Sequence, residues 1–425
     1  MARFIVQGGN KLEGPYRPPG NKNAALPMLA AAVLTDQPLV LRNVPMIEDV
    51  RTMLAILEHL GVDVQIGKNH VRLCAKGIRK RKLSARLCGM ARSSILMAGP
   101  MAARHGKVAL YPPGGDVIGR RRLDTHFDGL RRLGIGVSGD NPYWFRRNRL
   151  RGARILLDEA GVTATENIVM AAVLAEGQTV LYNAACEPHV QDLCCMLNKM
   201  GAHIAGIGTN RLVVQGVPTL HGADYRIGPD YIDAAGLVAA AALTGGALTL
   251  PDMSEDLFEV LAKSFGKLGV RWRLQDGMLQ IPAGQTLRVK NDLGEAIPKI
   301  EDGIWPAFPS DLMSVAIVMA TQAKGTTLFF EKMFESRLYF VDRLIGMGAR
   351  IVQCDPHRVI VAGPSRLHGT HMSSPDIRAG MAMLLAALVA QGESIIDNAH
   401  SIDRGYEKVE LRLRRLGANI RRVKT

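Results

Sequence analysis

Six stretches of the chain are apolar on almost every side of a helix, so they have no polar face that could meet water. They cover residues 24–34, 93–103, 168–175, 234–243, 312–320 and 381–390. A helix with this pattern must be buried. A short run of β-type residues follows each one, at residues 38–41, 106–111, 177–182, 247–250, 325–330 and 392–396. The pattern therefore predicts six buried helices, each leading into a strand.

An amphipathic stretch follows each strand and ends in a bulky residue, a glycine, and an aliphatic residue or alanine. The glycines are Gly61, Gly134, Gly201, Gly269, Gly348 and Gly417, spaced 67 to 79 residues apart. Each is expected to end its helix in the left-handed conformation, with a further strand after it. The result is six copies of one unit of about 70 residues. Six copies predict two domains of three units each.

Length and composition agree with a large globular chain. At 425 residues, 47% hydrophobic and 5% aromatic, the sequence predicts two to three domains of ordinary soluble type. The N-terminus has no signal-peptide pattern, and the longest uncharged run, residues 234–251, is interrupted by two glycines. The six cysteines form no CxxC pair. We therefore expect reduced thiols in the cytoplasm, no zinc and no membrane association.

The formal net charge of +14 indicates anionic partners. The densest basic runs are residues 76–82 and 146–154. Neither run is interleaved with stacking aromatic residues, although Tyr143, Trp144 and Phe145 precede the second. We interpret both runs as solvated basic faces and do not expect nucleic acid as a partner.

Residues 112–125 have the composition of a functional loop. Two prolines end the strand before it, and glycines on both sides of Asp116 give that residue a mobile backbone. Three adjacent arginines, residues 120–122, suit the oxygens of a phosphate or carboxylate. The loop indicates an anionic substrate, or a solvated surface loop with a basic tip.

Polar residues stand where the buried helices are predicted to begin. They are Lys22 and Asn23, Arg92, Thr165 and Glu166, Asp230 and Asp233, Asp311, and Asp376 and Arg378. Helix N-termini favour anions, and an acid there is more often a capping residue than a catalyst. The cations Lys22, Arg92 and Arg378 oppose the helix dipole and need an anionic partner. If the units share one orientation, all six helix starts face a common cleft.

Four separate segments resemble the signature stretches of the UDP-N-acetylglucosamine 1-carboxyvinyltransferase family. They are Gly20–Pro27, Gly114–Arg121, Asp376–Gly380 and Ile402–Tyr406, within a resemblance that runs from about residue 4 to 422. The resemblance implies an α/β fold of two inverse α/β-barrel-like domains, each with three βαβαββ units around buried helices. One domain would comprise residues 1–21 and 231–425, the other residues 22–230, with the active site in the cleft between them.

The resemblance also implies a reaction. This family of transferases moves the enolpyruvyl group of phosphoenolpyruvate to the 3′-hydroxyl of UDP-N-acetylglucosamine, through a tetrahedral intermediate, and releases phosphate. The reaction opens peptidoglycan synthesis and so serves cell wall biogenesis, cell shape, the cell cycle and cell division. It needs no cofactor and no metal. We expect a monomer or a weak oligomer.

Family roles carry over onto matching residues of this sequence. Lys22, Arg121 and Arg404 match the cations that hold phosphoenolpyruvate, and Lys22 and Arg404 also count as catalytic. The sugar-nucleotide contacts match Asn23, Arg92, Arg121, Arg122, Leu123, Asp124, Thr125, Asp311 and Met333. Arg337 and Arg378 match further arginines of the active site, and Asp376 matches a carboxylate beside the reacting centre. Asp116 is expected to act as the general acid and Asp311 as the general base.

The sequence departs from the family pattern at three positions. Asp116 stands where familiar members carry the cysteine that fosfomycin alkylates, so we expect an active enzyme that fosfomycin does not inactivate. Proton delivery by Asp116 requires a protonated carboxyl group, which a nearby substrate phosphate favours and the arginines oppose. Cys186 and Tyr231 stand where arginine is usual. They alter details of sugar-nucleotide contact.

Two alternative functions stay open. One is enolpyruvyl transfer to another acceptor, either shikimate 3-phosphate or a different nucleotide. The shikimate enzyme would show Asp-Lys-Ser near its first lysine, whereas this chain has Asn21, Lys22 and Asn23. The other is a relative that binds RNA or DNA and has lost the chemistry, which salt-dependent binding of random oligonucleotides would favour.

Overall fold

The chain forms two compact units. A computed structural model describes residues 2–116 and 118–424. Unit 1 comprises residues 2–19, 118–120 and 229–424, and unit 2 comprises residues 20–116 and 121–228. The long segments of the two units meet after residues 19 and 228, whereas the sequence placed these changes after residues 21 and 230. Residues 118–120 add a short segment of unit 1 within unit 2.

Unit 1 begins with two strands, β1 (Ala2–Gln7) and β2 (Glu13–Pro15). The strands of unit 2 are β3 (Leu39–Arg42), β4 (Asp63–Ile66), β5 (His70–Cys74), β6 (Lys107–Leu110), β7 (Ile135–Ser138), β8 (Tyr143–Arg147), β9 (Arg154–Leu156), β10 (Gln178–Tyr182), β11 (His203–Ala205), β12 (Arg211–Gln215) and β13 (Ala223–Arg226). Its helices are α1 (Lys22–Ala31), α2 (Glu48–Leu60), α3 (Ala85–Met90), α4 (Ala98–His105), α5 (Asp124–Arg132), α6 (Val162–Ala172) and α7 (Pro188–Lys199). Short 3₁₀ helices cover Ala32–Leu34, Ala75–Gly77 and Arg92–Met97.

The second part of unit 1 repeats this alternation. Its strands are β14 (Ala247–Leu250), β15 (Arg273–Gln275), β16 (Met278–Ile281), β17 (Lys299–Glu301), β18 (Gly325–Phe330), β19 (Ile351–Asp355), β20 (Arg358–Gly363), β21 (His371–Ser373), β22 (Glu393–Asp397) and β23 (Asn419–Lys424). Its helices are α8 (Tyr231–Thr244), α9 (Glu255–Lys267), α10 (Met313–Gln322), α11 (Val341–Gly346), α12 (Ile377–Val389), α13 (Ala399–Asp403) and α14 (Val409–Arg415). Two 3₁₀ helices cover Leu293–Glu295 and Ser310–Leu312.

The six predicted buried helices are confirmed. They are α1, α4, α6, α8, α10 and α12, and nearly every residue of each is buried. The predicted start of the third helix was wrong, because α6 begins at Val162 and not near residue 168. Thr165 and Glu166 therefore lie inside α6 and not before it. Valine and threonine are weak helix formers, so the sequence around Val162 gave little local signal for a helix start.

Each unit contains three small sheets. In unit 2 the strand orders are β13-β3-β5-β4, β11-β12-β10-β9 and β6-β8-β7, and in unit 1 they are β21-β22-β1-β23, β15-β16-β14-β2 and β17-β18-β20-β19. In each four-stranded sheet one edge strand is parallel to its neighbour and the other pairs are antiparallel. The same small sheet therefore recurs five times, and the sixth sheet, β6-β8-β7, has three strands that are all antiparallel.

The first two strands complete sheets formed mainly by the second part of unit 1. Strand β1 lies between β22 and β23, with Phe4 opposite both Ile396 and Arg422. Strand β2 pairs with β14. Unit 2 is thus inserted into unit 1 between β2 and α8. Each unit has its own hydrophobic core.

The six repeat glycines take the predicted left-handed conformation, with φ between +85° and +108°. Each is followed by a strand, as the sequence indicated. At Gly134 a Cβ atom would lie 1.9 Å from the carbonyl oxygen of Arg149, so that position also lacks room for a side chain. Among the described residues, the helices are too short or too polar to cross a bilayer.

Candidate active site

The start of α1 places Lys22 in a buried ion pair. The side-chain oxygen of Asn21 caps the helix by accepting hydrogen bonds from the backbone N–H groups of Asn23, at 2.8 Å, and Ala24, at 3.1 Å. Lys22 Nζ lies 2.8 Å from Asp49 Oδ2, and only about a tenth of each side chain is exposed. The predicted need of Lys22 for an anionic partner is confirmed, and Asp49 meets it. Sequence reasoning missed Asp49 because an acid in the first turn of α2 is expected there for the helix dipole alone.

Arg92 holds the backbone of the arginine-rich loop. Its guanidinium group donates hydrogen bonds to the carbonyl oxygens of Arg121, at 2.6 Å, and Arg122, at 3.1 Å. Burial and the charge of Arg121 lower the pKa of Arg92 to about 10, although Glu159 and Tyr143 act in the opposite direction. Within the described residues these carbonyl oxygens are the hydrogen-bond partners of Arg92, and its predicted anionic partner stays a prediction. Arg92 thereby fixes the backbone of Arg121 and Arg122.

The loop around Asp116 changes units within a few residues. Asp116 is half-buried in unit 2, and Val117 of the signature segment lies outside the described residues. Residues 118–120 pack with unit 1, where the carboxylate of Glu335 accepts a hydrogen bond from the backbone N–H of Arg120 at 3.2 Å. Gly119 has φ +139°, and a Cβ atom there would lie 2.2 Å from the same carboxylate. The positive φ and this close contact both favour glycine at position 119.

Residues 122–125 continue this loop into α5. Arg122 is exposed and lies 2.8 Å from Asp124 and 3.8 Å from Asp158, while the backbone of Leu123 caps the helix. The buried hydroxyl of Thr125 donates a hydrogen bond to Asp158 at 2.6 Å. Arg122 and Thr125 thus converge on Asp158, a residue that the sequence did not single out.

The next residue, His126, is buried against α6. Its Nε2 lies 3.2 Å from the hydroxyl of Thr163, and its Nδ1 lies 3.1 Å from the amide nitrogen of Asn167. Burial and the positive charge of Arg92 lower the pKa of His126 to about 3. The imidazole is therefore neutral at physiological pH. It anchors the end of the loop by hydrogen bonds.

In unit 1, two arginines hold Asp311 between them. Arg337 Nη2 lies 2.9 Å from Asp311 Oδ1, and Arg378 Nη2 lies 2.6 Å from Asp311 Oδ2. The arginine side chains are 5% and 7% exposed, whereas that of Asp311 is 28% exposed. Two guanidinium groups favour the charged carboxylate. The structure therefore places Asp311 between two positive charges and leaves it accessible to solvent or a ligand.

Tyr406 completes the surroundings of Arg378. Its hydroxyl accepts a hydrogen bond from Arg378 Nη1 at 3.0 Å. Burial lowers the pKa of Arg378, but Asp311, Tyr406 and Asp230 outweigh this effect and raise it overall. Burial raises the pKa of Tyr406 to about 12, against the opposing charge of Arg378. The predicted anionic partner of Arg378 is confirmed as Asp311, and Tyr406 is a further contact that the sequence did not assign.

The remaining predicted residues of unit 1 lie in different settings. Asp376 caps α12, because its Oδ1 accepts hydrogen bonds from the backbone N–H groups of Arg378 and Ala379 at 2.8 and 3.0 Å. Arg404 is half-buried directly after α13, two residues before Tyr406. Met333 is 40% exposed in the segment after β18. The described contacts thus join Asp311, Arg337 and Arg378 directly, with Asp376 beside them on the chain.

A buried acid, Glu331, lies near Arg337 of this cluster. The hydroxyl of Ser310 donates to the carboxyl oxygens of Glu331 at 2.9 and 3.0 Å. Burial raises the pKa of Glu331 to about 9, helped by Asp302 and opposed by Arg337 and Ser310. Glu331 is therefore protonated at neutral pH and does not compete with Asp311 for the arginines. No sequence pattern indicated this, because an acid at the end of a strand usually faces solvent.

Comparison with known proteins relates the whole chain to enolpyruvyl transferases. The sequence model of the family EPSP synthase (3-phosphoshikimate 1-carboxyvinyltransferase) matches residues 6–413. The chain is 52% identical to the UDP-N-acetylglucosamine 1-carboxyvinyltransferase of Treponema denticola over 421 residues, which is 99% of both chains. It is also 52% identical to the enzyme of that name from Bradyrhizobium diazoefficiens over 422 residues, 99% of this chain and 98% of the relative.

Solved structures show the same fold. The enolpyruvyl transferase NikO from Streptomyces tendae superposes with a TM-score of 0.88 at 24% identity, covering 100% of this chain and 99% of that one. EPSP synthase from Acinetobacter baumannii gives a TM-score of 0.77 at 18% identity, with both chains fully covered. The predicted α/β fold class is confirmed.

Proposed function

Because the chain belongs to the UDP-N-acetylglucosamine 1-carboxyvinyltransferase family, we propose that it transfers the enolpyruvyl group of phosphoenolpyruvate to the 3′-hydroxyl of UDP-N-acetylglucosamine. Phosphate leaves in the same reaction. We place this reaction in the cytoplasm, at the first committed step of peptidoglycan synthesis, where it would serve cell shape and division. Identity of 52% along nearly the whole chain supports the proposal.

The observation that carries the chemistry is the position of Asp311 between Arg337 and Arg378. A general base must be ionised, correctly oriented and within reach of the proton it takes. The paired guanidinium groups support the first two conditions, and the partial exposure of Asp311 leaves it open to a substrate, which supports the third. Asp311 is thus the proposed acceptor of the proton from the sugar hydroxyl.

Asp116 is the proposed acid. It protonates the methylene carbon of phosphoenolpyruvate while the sugar oxygen attacks the adjacent carbon, which gives a tetrahedral intermediate with a methyl group. The bond to the phosphate oxygen then breaks, the methyl group loses a proton, and the enol ether of the product forms. The glycines on both sides of Asp116 support this role, because they permit the backbone angles that a close approach to the substrate requires.

The cations are proposed to bind the charged parts of the substrates. Lys22, Arg121 and Arg404 would hold the phosphate and carboxylate of phosphoenolpyruvate, and Arg337 and Arg378 would add positive charge near Asp311. The sugar nucleotide would contact Asn23, Arg92, Arg121, Arg122, Leu123, Asp124, Thr125, Asp311, Met333 and Asp376. Arg92 has a second part in this proposal, because its hydrogen bonds to the loop carbonyl groups position Arg121.

The test is release of phosphate from phosphoenolpyruvate with UDP-N-acetylglucosamine, with shikimate 3-phosphate, or with no acceptor. We expect release with the sugar nucleotide alone. Release of phosphate with shikimate 3-phosphate and not with the sugar nucleotide would identify shikimate 3-phosphate as the acceptor. Absence of release with every acceptor, from protein that shows a cooperative thermal transition, would refute the enzyme proposal.

We further propose that fosfomycin does not inactivate this enzyme. Fosfomycin alkylates a thiol, and residue 116 presents a carboxylate instead. Activity should therefore survive preincubation with fosfomycin, while Asp116→Cys should lose activity progressively and irreversibly under the same conditions. Phosphate release after dilution from the inhibitor measures both. Rapid irreversible loss of wild-type activity would contradict the proposal.

A further inference from the structure

The positive charge of the chain is concentrated in two stretches of unit 2. Residues 64–115 contain eleven Lys and Arg, and residues 141–157 contain five, and neither stretch contains an Asp or Glu. The full chain has 53 Lys and Arg and 39 Asp and Glu. Without these sixteen cations, 37 Lys and Arg face 39 Asp and Glu in the rest. The whole positive excess therefore comes from these two stretches.

The fold brings the two stretches onto one sheet. Lys82 forms a parallel bridge with Ala109 of β6. Lys107 at the start of β6 is paired with Arg146 of β8. The order β6-β8-β7 thus places residues of both basic runs on neighbouring strands.

The charges that act on His105 also show that the two basic stretches lie close together. Burial, together with the charges of Arg104, Arg81 and Arg147, lowers the pKa of His105 to about 4, although its hydrogen bond with the carbonyl of Val33 acts in the opposite direction. Arg81 belongs to the first stretch and Arg147 to the second. Both therefore contribute positive potential at one imidazole.

Aromatic rings share this face with the cations. Phe145 is fully buried, so its neighbours in β8, Trp144 and Arg146, point away from the core. The guanidinium carbon of Arg146 lies 5.3 Å from the centroid of the Trp144 ring, and Lys82 Nζ lies 5.2 Å from that of Tyr111. This arrangement could not be predicted from the sequence. Trp144 precedes the basic run along the chain, and strand pairing places it among the cations.

We call Lys82, Lys107, Trp144 and Arg146 the basic sheet face. Within the described ranges, none of its three cations forms an ion pair with a carboxylate. Arg149 and Arg151 lie outside it, because Glu176 pairs with them at 3.5 and 3.7 Å. The basic sheet face therefore keeps its charge available to a partner.

We propose that the basic sheet face binds single-stranded nucleic acid, independently of enolpyruvyl transfer. Adjacent cations match the repeated phosphates of a strand, and a ring among them offers a surface on which a base can stack. A duplex keeps its bases stacked on one another, and an anionic lipid surface needs charge but no ring. The combination of charge and ring favours the single strand.

The test uses a fluorescein-labelled oligothymidylate of about 20 nucleotides, longer than the roughly 4–16 nucleotides that one single-strand site covers. Fluorescence anisotropy measures its binding to the full chain over a series of salt concentrations. The variant Lys82→Gln, Lys107→Gln, Arg146→Gln should bind at least about tenfold more weakly at low salt. The slope of log affinity against log salt should become shallower by roughly 2, at about 0.7 for each lost phosphate contact.

A control variant removes the same charge from exposed positions of unit 1, as Lys263→Gln, Lys290→Gln, Arg271→Gln. It should bind like the wild type. Equal weakening in both variants would show that net charge and not the basic sheet face causes binding, and would overturn the proposal, as would absence of wild-type binding. Phosphate release should be the same in both variants and the wild type, so this test stands apart from that of the enzyme function.

Two comparisons identify the partner. Trp144→Ser should weaken binding of the oligonucleotide and leave binding of inorganic polyphosphate, which has no bases, unchanged. If Trp144→Ser weakened binding of the oligonucleotide and of polyphosphate equally, base stacking would not contribute to binding. That result would overturn the preference for nucleic acid. Vesicles of phosphatidylcholine and phosphatidylserine should bind no better to the wild type than to the triple variant of the basic sheet face. Face-dependent binding of vesicles without face-dependent binding of the oligonucleotide would assign the face to membranes instead.

Discussion

Asp311 is the residue on which the proposed chemistry depends most. Asp311→Asn keeps the shape of the side chain but removes its negative charge, so it cannot accept the proton of the sugar hydroxyl. We expect kcat for phosphate release to fall by roughly 10²- to 10⁴-fold. Affinity for the sugar nucleotide, measured by calorimetry, should change by less than about tenfold, or about 1.4 kcal/mol.

Asp342→Asn is the matched control, because Asp342 is an exposed acid of the same unit. It should retain wild-type kcat. Near-normal turnover in Asp311→Asn would remove Asp311 as the base. Thermal unfolding of both variants is measured in parallel, since the substitution leaves Arg337 and Arg378 without their carboxylate and lowers stability as well.

Glu331 gives a prediction about pH and stability. Its pKa rises from an ordinary value of 4.5 to about 9 in the folded state, chiefly through burial. The stability it contributes is therefore fully present below about pH 4.5 and is lost as the pH rises towards 9. Glu331→Gln is neutral at every pH, so as the pH rises from 5 to 8 the variant should gain stability relative to the wild type by roughly 4 kcal/mol.

Urea unfolding at pH 5 and at pH 8 measures the difference in stability between Glu331→Gln and the wild type. Glu259→Gln, at an exposed acid of α9, should show no such change with pH. A difference between Glu331→Gln and wild type that is the same at both pH values would mean that Glu331 is ionised in the folded protein.

At the residue scale the sequence predicted positions better than partners. Lys22, Asp311 and Arg378 stood out because they lie where buried helices begin. Their partners Asp49 and Tyr406 lie in other helices or loops, at distances along the chain that no local pattern encodes. Which groups meet is decided by the packing of separate elements, so the ion pairs could not be predicted from the sequence.

At the scale of elements, the repeat glycine Gly134 and a second left-handed glycine, Gly177, allow a controlled test. Gly134 and Gly177 both have φ +89°, but a Cβ atom at Gly134 would lie 1.9 Å from a carbonyl oxygen, whereas one at Gly177 would have no atom within 4 Å. Gly177→Ala should therefore lower the free energy of unfolding by only about 1–2 kcal/mol, the cost of the left-handed conformation for alanine. Gly134→Ala should lose at least about 1 kcal/mol more, because the backbone must also shift.

The free energy of unfolding in urea measures both substitutions. Equal losses would show that the backbone around Gly134 accommodates a methyl group without cost. The comparison separates conformational strain from steric exclusion at the end of the helices that the repeat defines.

The hydrophobic pattern predicted the recurring elements well and the irregular ones poorly. The six buried helices, the strands after them and the left-handed glycines follow from periodicity and from glycine chemistry. The start of α6 was missed because residues 162–165 show little local helix preference. The pairing of β1 with β22 and β23 joins strands from opposite ends of the chain, which no local pattern specifies.

At the scale of the whole molecule, function and charge are distributed differently over the two units. Unit 1 supplies Asp311 with its arginines, and unit 2 supplies Lys22, Arg92 and Asp116. Unit 2 contains 26 Lys and Arg against 16 Asp and Glu, and unit 1 contains 27 against 23, so most of the positive excess lies in unit 2. Its two basic stretches include Arg92 but otherwise lack the residues of the proposed active site. Charge and catalysis can therefore be altered separately by substitution.

The most direct measurement of the central claim is the deuterium content of the product formed in D₂O. Addition followed by elimination passes through an intermediate whose methyl group has gained one proton from the enzyme. The product from phosphoenolpyruvate and UDP-N-acetylglucosamine should therefore carry deuterium in its vinyl methylene group, as mass spectrometry would show, and Asp116→Asn should form no product. Product without deuterium, or full turnover by Asp116→Asn, would contradict the account.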